Sequence, residues 1–277
     1  MLSHVSGTDN RLRKIRRRLF LRPPKSGILS KKTKTEVTDM AVYHRVLLKL
    51  SGEALKSGND LFDFDKVNRI ADVIRRMRDM DVQIGIVIGA GNIWRGRQGP
   101  AAHMDAVTAD QMGMLGTVIN CLCMRDAVQR AGGQAVVMTA IDMPRVCEVF
   151  NAEKARKHMK KGRVTLFAAG SGNPFFSTDT AVVLRAVEVG ADAILLAKNI
   201  DGVYTDDPKK NPDATLIRDI SYEKALDMRL KVMDTAAFAL CMENKVPIVR
   251  VFGLFQPEAI LDVLGGNDMG TVLHPEA

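Results

Sequence analysis

From residue 44 onward, short apolar runs alternate with segments in which apolar residues recur at helical spacing. Arg45 to Leu50, Val82 to Ile88, Gln134 to Met138, Val164 to Ala169, Ala193 to Ala197 and Val246 to Phe252 read as strands. Between them, residues 64–80 put Val67, Ile70, Ala71, Ile74 and Met77 on one helical face. Residues 104–131 form a long helical region with a break expected near Gly113 or Gly116. Further helices are expected at 152–160, 178–189, 222–229, 233–244 and 257–264. Residues 201–219 read as loop, and Gly270 to Leu273 as a short edge strand.

Apolar strands alternating with helices specify an α/β fold. The architecture expected is a three-layer αβα sandwich with a largely parallel central sheet, apolar on both faces. Ligands of such sheets bind beyond the carboxyl ends of the strands. Three of those ends are rich in small residues: Ser51-Gly52, Gly89-Ala90-Gly91-Asn92 and Gly170-Ser171-Gly172-Asn173. Small residues let backbone approach a ligand closely, and a helix N-terminus offers free N–H groups to an anion. Ser177, Thr178 and Asp179 stand where the third of these loops enters a helix, able to cap it and still reach a site. A phosphate or nucleotide pocket is the reading; an ordinary strand-to-helix turn is the plain alternative.

The net charge of +8 changes the picture only at the front of the chain. Residues 1–40 hold 11 Lys/Arg against 3 Asp/Glu, so residues 41–277 carry 29 of each sign. Two units follow: a basic extension over 1–40, expected to be disordered, and one folded domain over 41–277. The extension reads as a nucleic-acid-binding arm, a membrane-surface tether or a targeting peptide; the alternative is a native start at Met40. It has no apolar core of the kind a secretory signal carries, and no run of the chain is long and apolar enough to span a membrane. Cys121, Cys123, Cys147 and Cys241 lack metal-site spacing and read as free thiols of a reducing cytosol.

Lys49 sits late in an apolar strand, and Lys198 follows Ala193 to Ala197 in the same way. A charge beside a buried strand is costly without an anionic partner, and two such lysines can clamp a transferring phosphoryl group. Arg95 can hold a phosphate through two parallel hydrogen bonds. Asp110 can accept ribose hydroxyls, and Asp179 can orient a lysine, bind Mg²⁺ through water, or simply cap its helix. Tyr204 can cover a base, although a loop tyrosine more often packs, as does Trp94. There is no GxxxxGK[ST] loop and no HRD or DFG set.

These residues resemble a known family. Lys49-Leu50-Ser51-Gly52-Glu53, Gly91-Asn92-Ile93-Trp94-Arg95-Gly96, Asp110-Gln111-Met112-Gly113-Met114, Met124-Arg125-Asp126, Gly172-Asn173-Pro174-Phe175-Phe176, Asp201-Gly202-Val203-Tyr204 and Lys231-Val232-Met233-Asp234 look like the bacterial uridylate kinases of the amino acid kinase superfamily. The resemblance runs from about Tyr43 to Thr271. It implies transfer of phosphate from ATP to UMP with Mg²⁺, directly and in line. By similarity, Lys49, Ser51 and Gly52 would hold the transferring phosphoryl and ATP phosphates, near Gly91 and Arg95. Asp179 would position the catalytic lysine. Tyr204 and Asp207 would contact the ATP nucleoside, with Lys198 and Asn199 beside them. Ala90 and Arg95 would bind the UMP phosphate and Asp110 its ribose. Ser171, Gly172, Asn173, Pro174, Phe175, Phe176, Ser177 and Thr178 would wrap the uridine and its phosphate. No residue is named as a direct metal ligand.

The family is hexameric and cytoplasmic, and often responds to GTP and UTP. Arg125 and Asp126 match its effector region, while Gln129 and Val136 stand where some members carry other residues. Ala90 replaces the middle glycine of the second loop, which is tolerable if its φ is negative. A sister carboxylate kinase would not need Asn173 to Phe176. A nucleotide-binding storage or regulatory protein on the same fold could lack Lys49 or Asp179.

Overall fold

Val46, Leu48 and Leu50 of β1 (Arg45–Leu50) face one side of a sheet and Leu47 the other, all buried. A strand apolar on both faces needs cover on both. The computed structural model describes residues 41–95, 103–230 and 232–276. The basic extension over 1–40, Gly96 and Lys231 lie outside the described residues.

Among those residues β1 is the fifth strand of a nine-stranded sheet. The others are β2 (Gln83–Ile88), β3 (Ala135–Thr139), β4 (Glu148–Val149), β5 (Val164–Ala168), β6 (Ala193–Lys198), β9 (Asp219–Ser221), β10 (Val249–Gly253) and β11 (Thr271–His274). Their order is β4-β3-β5-β2-β1-β6-β10-β11-β9, parallel throughout except for the β10–β11 pair. β7 (Val203–Tyr204) and β8 (Leu216–Ile217) form a separate antiparallel ribbon.

One face is covered by α1 (Phe64–Asp79), α2 (Ala106–Arg130) and α7 (Ala259–Leu264). Helix α1 starts where the Asp63 carboxylate accepts the Asp65 and Lys66 N–H groups, and it buries Val67, Ile70, Ile74 and Met77. The other face is covered by α3 (Ala152–Lys160), α4 (Thr178–Val189), α5 (Tyr222–Asp227) and α6 (Thr235–Glu243). Each fully buried leucine or isoleucine in these layers contributes about 1.5–3 kcal/mol. The expected three-layer sandwich is the architecture observed.

Four details differ from the sequence reading. Helix α2 runs unbroken for 25 residues. Gly116 makes room rather than a break: a Cβ there would come 2.9 Å from the Cβ of Ala90, so α2 presses against the loop after β2. β11 is not the sheet's edge, because β9 pairs beyond it. Residues 201–219 hold the β7–β8 ribbon and the start of β9. The apolar run from Val246 becomes strand only at Val249, since the Val246 N–H bonds the Cys241 carbonyl at 2.9 Å, closing α6. Cys121, Cys147 and Cys241 are buried free thiols, and Cys123 is half-buried. No helix of the described residues is long and apolar enough to cross a membrane.

Candidate active site

β5, β2, β1 and β6 are consecutive and parallel, so their carboxyl ends lie side by side. Lys49 is level with Leu196 in the β1–β6 register, and Lys198 is two residues further on. Side chains two apart share a face, so both lysines project toward the layer that contains α4. Ser177 caps α4 by accepting the Asp179 and Thr180 N–H groups, which sets Asp179 in the first turn. Its carboxylate meets both lysines: Lys49 Nζ lies 2.8 Å from Oδ1 and Lys198 Nζ 3.0 Å from Oδ2. Lys198 Nζ also donates to the Val232 carbonyl at 2.6 Å.

Asp179 and Lys49 are only 15% and 12% exposed. Burial alone would push the Asp179 carboxyl up, but the ammonium groups of Lys49 and Lys198 outweigh it and hold the pKa below the ordinary value of 3.8. The Asp179 carboxylate thus stays ionised between the two side chains. The Lys49 contact, at 2.8 Å, is an ion pair on Oδ1, and Lys198 takes Oδ2.

Two clefts meet at Lys198. One, of about 630 Å³, is lined by Ser177, Asp179, Lys198, Arg229, Asp234 and Phe238 among others. The second, of about 450 Å³, is lined by Lys198, Gly202, Tyr204, Asp207, Leu230 and Val232 among others. Arg229, Leu230 and Val232 form the wall between them. The Tyr204 hydroxyl donates to the Asp201 carboxylate at 2.9 Å, which raises the phenol's pKa. Asn199 is exposed and is not among the residues lining either cleft.

On the other flank of β1 the loops are packed backbone to backbone. A Cβ on Gly52 would fall 2.4 Å from Asn92 Oδ1, 2.5 Å from the Gly89 carbonyl and 2.8 Å from the Gly91 nitrogen. No residue but glycine fits there. Ala90 is absent from the positive-φ residues, as its side chain requires. Arg95 ion-pairs with Glu53 and donates from Nε to the Gly91 carbonyl at 3.3 Å. Asp110, on α2, accepts the Phe175 N–H at 2.7 Å and so ties α2 to the loop after β5. Phe175 holds a left-handed φ of 70° there. Phe175 and Phe176 are 74% and 53% exposed. Ser171 folds the loop by accepting the Asn173 N–H at 3.2 Å. Gly172 has a φ of 87° and packs on Ala140, and Pro174 is half-buried. The Thr178 hydroxyl is near Gly89. Trp94 is anchored by donation to the Ala109 carbonyl at 2.8 Å, a packing role.

Arg125 and Asp126 lie in the second half of α2, not in this cluster. Asp126 pairs with Arg130 at 2.8 Å, and Arg125 Nε is buried without a hydrogen-bond partner among the described residues.

Three further positions that tie these elements together were not picked out as site residues from the sequence. Asp234 caps α6 by accepting the Ala237 N–H at 2.8 Å, and also accepts the hydroxyls of Ser177 and of Thr180 at 2.7 Å. It therefore fixes the start of α6 to the start of α4, the helix of Asp179. Asn120, fully buried on α2, donates to the Gly89 carbonyl at 2.7 Å and exchanges hydrogen bonds with Asn92. Glu53 is the partner of Arg95.

Among the described residues no three His, Cys, Asp or Glu side chains converge as a metal cage. Magnesium carried on nucleotide phosphates needs only one or two protein carboxylates. Asp179 is the carboxylate at the cluster, and with both oxygens on lysine ammonium groups it would reach such an ion through water.

Paired lysines on one carboxylate thus stand at adjacent strand ends, beside glycine-rich loops and two clefts. The model of the amino acid kinase family matches residues 44–251. The chain belongs to the amino acid kinase family, and its relatives there are uridylate kinases. It is 49% identical to the uridylate kinase of Colwellia psychrerythraea over 83% of this chain and 94% of that protein. Its fold superimposes on the crystal structure of UMP kinase from Ureaplasma parvum with a TM-score of 0.80 at 37% identity, covering 83% of this chain and 98% of that one. UMP kinase from Bacillus anthracis gives 0.81, also at 37% identity, over 85% and 97% of the two chains.

Proposed function

We propose that the chain is a UMP kinase, which transfers the γ-phosphoryl group of ATP to the phosphate of UMP and yields ADP and UDP in pyrimidine nucleotide biosynthesis. The observation that carries this reading is Asp179 gripping Lys49 and Lys198, the second of which lines both clefts. The relatives at 49% and 37% identity, named for this activity, support it.

ATP would lie with its nucleoside against Tyr204 and Asp207 and its phosphates over Lys198, Asn199, Gly91, Ser51 and Gly52. UMP would place its phosphate against Ala90 and Arg95. Its ribose would meet Asp110, and its base and phosphate the loop from Ser171 to Thr178. Asp110 gives one carboxylate oxygen to Phe175, so the other would accept a ribose hydroxyl. A UMP phosphate oxygen attacks the γ-phosphorus in line as the bond to the β–γ bridging oxygen breaks. Lys49 and Lys198, held apart by Asp179, take up charge on the transferring and departing oxygens, with no covalent enzyme intermediate. Asp179 would hold Mg²⁺ through water, and the ion would supply further charge neutralisation.

The same reading extends to a cytoplasmic homohexamer with GTP and UTP as effectors through the region of Arg125 and Asp126. Met112, Leu115 and Ile119, exposed on one face of α2, support a subunit contact there. Residues 1–40 would add at most a nucleic-acid contact.

The test is ADP formation from Mg-ATP with UMP, CMP, glutamate or acetylglutamate as acceptor, with Lys49→Ala as control. Turnover with UMP that the variant loses supports the reading. Turnover only with a carboxylate acceptor replaces it with a carboxylate kinase. Tight ATP binding without any turnover replaces it with a storage or regulatory protein.

A further inference from the structure

Arg95 has a guanidinium that is 56% exposed, on a loop, and long enough to point almost anywhere. Two acceptors restrict it. The Gly91 carbonyl takes Nε–H, and Glu53 takes one N–H of the neighbouring terminal nitrogen. Both lie along one edge of the guanidinium. A guanidinium has five donors in a fixed plane, so with that edge engaged the remaining fork, without a partner among the described residues, can bind an oxyanion with two parallel bonds.

Glu53 is itself held. It lies in the 3-10 turn Gly52–Leu55, its N–H bonds the Ser51 hydroxyl at 3.3 Å, and its second carboxylate oxygen lies 3.7 Å from Lys56 Nζ. Its side chain is 24% exposed, less than half the value for Arg95. The carboxylate is therefore the fixed member of the pair and the guanidinium the aimed one. Glu53 also starts from the end of β1, and Arg95 from the loop after β2. The pair joins the turn carrying Ser51 and Gly52 to the loop carrying Gly89 to Asn92.

We infer that Glu53 is a positioning residue that aims Arg95 at the acceptor phosphate. This rests on the reading of the chain as a UMP kinase. Glu53 touches neither reacting atom. Its effect belongs to the acceptor arm, and it acts only through Arg95.

The experiment measures UMP binding by calorimetry, and KM for UMP and ATP with kcat, in the wild type, Glu53→Ala, Glu53→Gln, Arg95→Ala and the double variant. Loss of one charge-assisted hydrogen bond weakens the ligand that depends on it about tenfold. Glu53→Ala should raise KM for UMP by about that factor and leave KM for ATP within about twofold. Glu53→Gln, which keeps the shape and the accepting oxygen, should recover part of the loss, and it carries the test if Glu53→Ala does not fold. In the Arg95→Ala background, Glu53→Ala should change KM for UMP no further. Additive effects, equal rises in both KM values, or tighter UMP binding without Glu53 would overturn the inference. A wild type that binds no UMP would overturn the kinase reading and this inference with it. A wild type that binds UMP while the Glu53 variants are indifferent would overturn this inference alone.

Discussion

The two flanks of β1 are built differently. On the β6 side the charged groups are closed in: Asp179, Lys49 and Lys198 are mostly buried and satisfy one another across a strand end, a helix start and a second strand end. On the β2 side the corresponding groups are open. Arg95 is more than half exposed and rests on Glu53, Asp110 rests on a backbone N–H, and the two phenylalanines of the loop face solvent. The first region holds its charged groups against one another inside the protein; the second holds its groups on exposed loops. Charge that must be stabilised in a transition state gains most from fixed groups. A pocket that must admit and release an acceptor gains from loops that can yield.

The largest expected effect comes from breaking the fixed region. Asp179→Asn keeps the shape and removes the charge that holds two lysines in place. Steady-state assays should show kcat reduced on the order of 10²-fold or more. Chemical unfolding should show a loss on the order of 3 kcal/mol, because two largely buried ammonium groups then face each other unpaired. Unchanged kcat would show that the cluster is structural, and the contrast between the flanks would lose its functional meaning.

The same carboxylate gives a pH dependence with a definite sign. Its folded pKa lies below the ordinary 3.8, so the unfolded chain binds the proton more readily. The stability it adds is therefore present in full above pH 3.8 and is lost as pH falls through the folded value. Wild type and Asp179→Asn should differ in unfolding free energy by a constant amount from neutrality down to that region, and converge below it. A gap that widens on acidification would contradict the ion-pair assignment.

Gly52→Ala attacks the seam between the flanks. Its Cβ would press on the Gly89 carbonyl and the Gly91 nitrogen, which are backbone and cannot swing away. The cost expected is about 1–3 kcal/mol of stability. Because this seam carries both the β1 and the β2 loop, KM for ATP and KM for UMP should rise together, in contrast with variants of either flank alone. A rise confined to one substrate would mean that the flanks move independently.

How much of this was legible in the chain divides along the same line. Lys49, Asp179 and Lys198 stand at strand and helix ends that periodicity locates, and a charge beside an apolar run has few structural reasons to be there. Their meeting on one carboxylate follows from strand order, which alternation suggests but does not state. Glu53–Arg95, Asn120–Gly89 and Asp234–Ser177 were hidden, because each joins residues 31 to 57 positions apart with no local signal. The resemblance to uridylate kinases marked the segments containing Glu53 and Asp234, but not what they touch. The β7–β8 ribbon has two residues per strand, too short for any alternation to register. Gly116 looked like a helix breaker; its reason is Ala90, a residue 26 positions earlier that presses on it across the layers.

The smallest effect should come from Tyr204→Phe. The hydroxyl's partner, Asp201, is three residues away on the same loop, and both are in contact with water. Water replaces such a hydrogen bond with little loss, so KM for ATP should move by no more than about twofold. Tyr204→Ala should do more, because it takes the ring itself from the wall of the second cleft. If the phenylalanine variant instead lost activity as Asp179→Asn does, the hydroxyl would be making a ligand contact stronger than its bond to Asp201. The second cleft would then belong with the fixed region, as a preorganised part of the site.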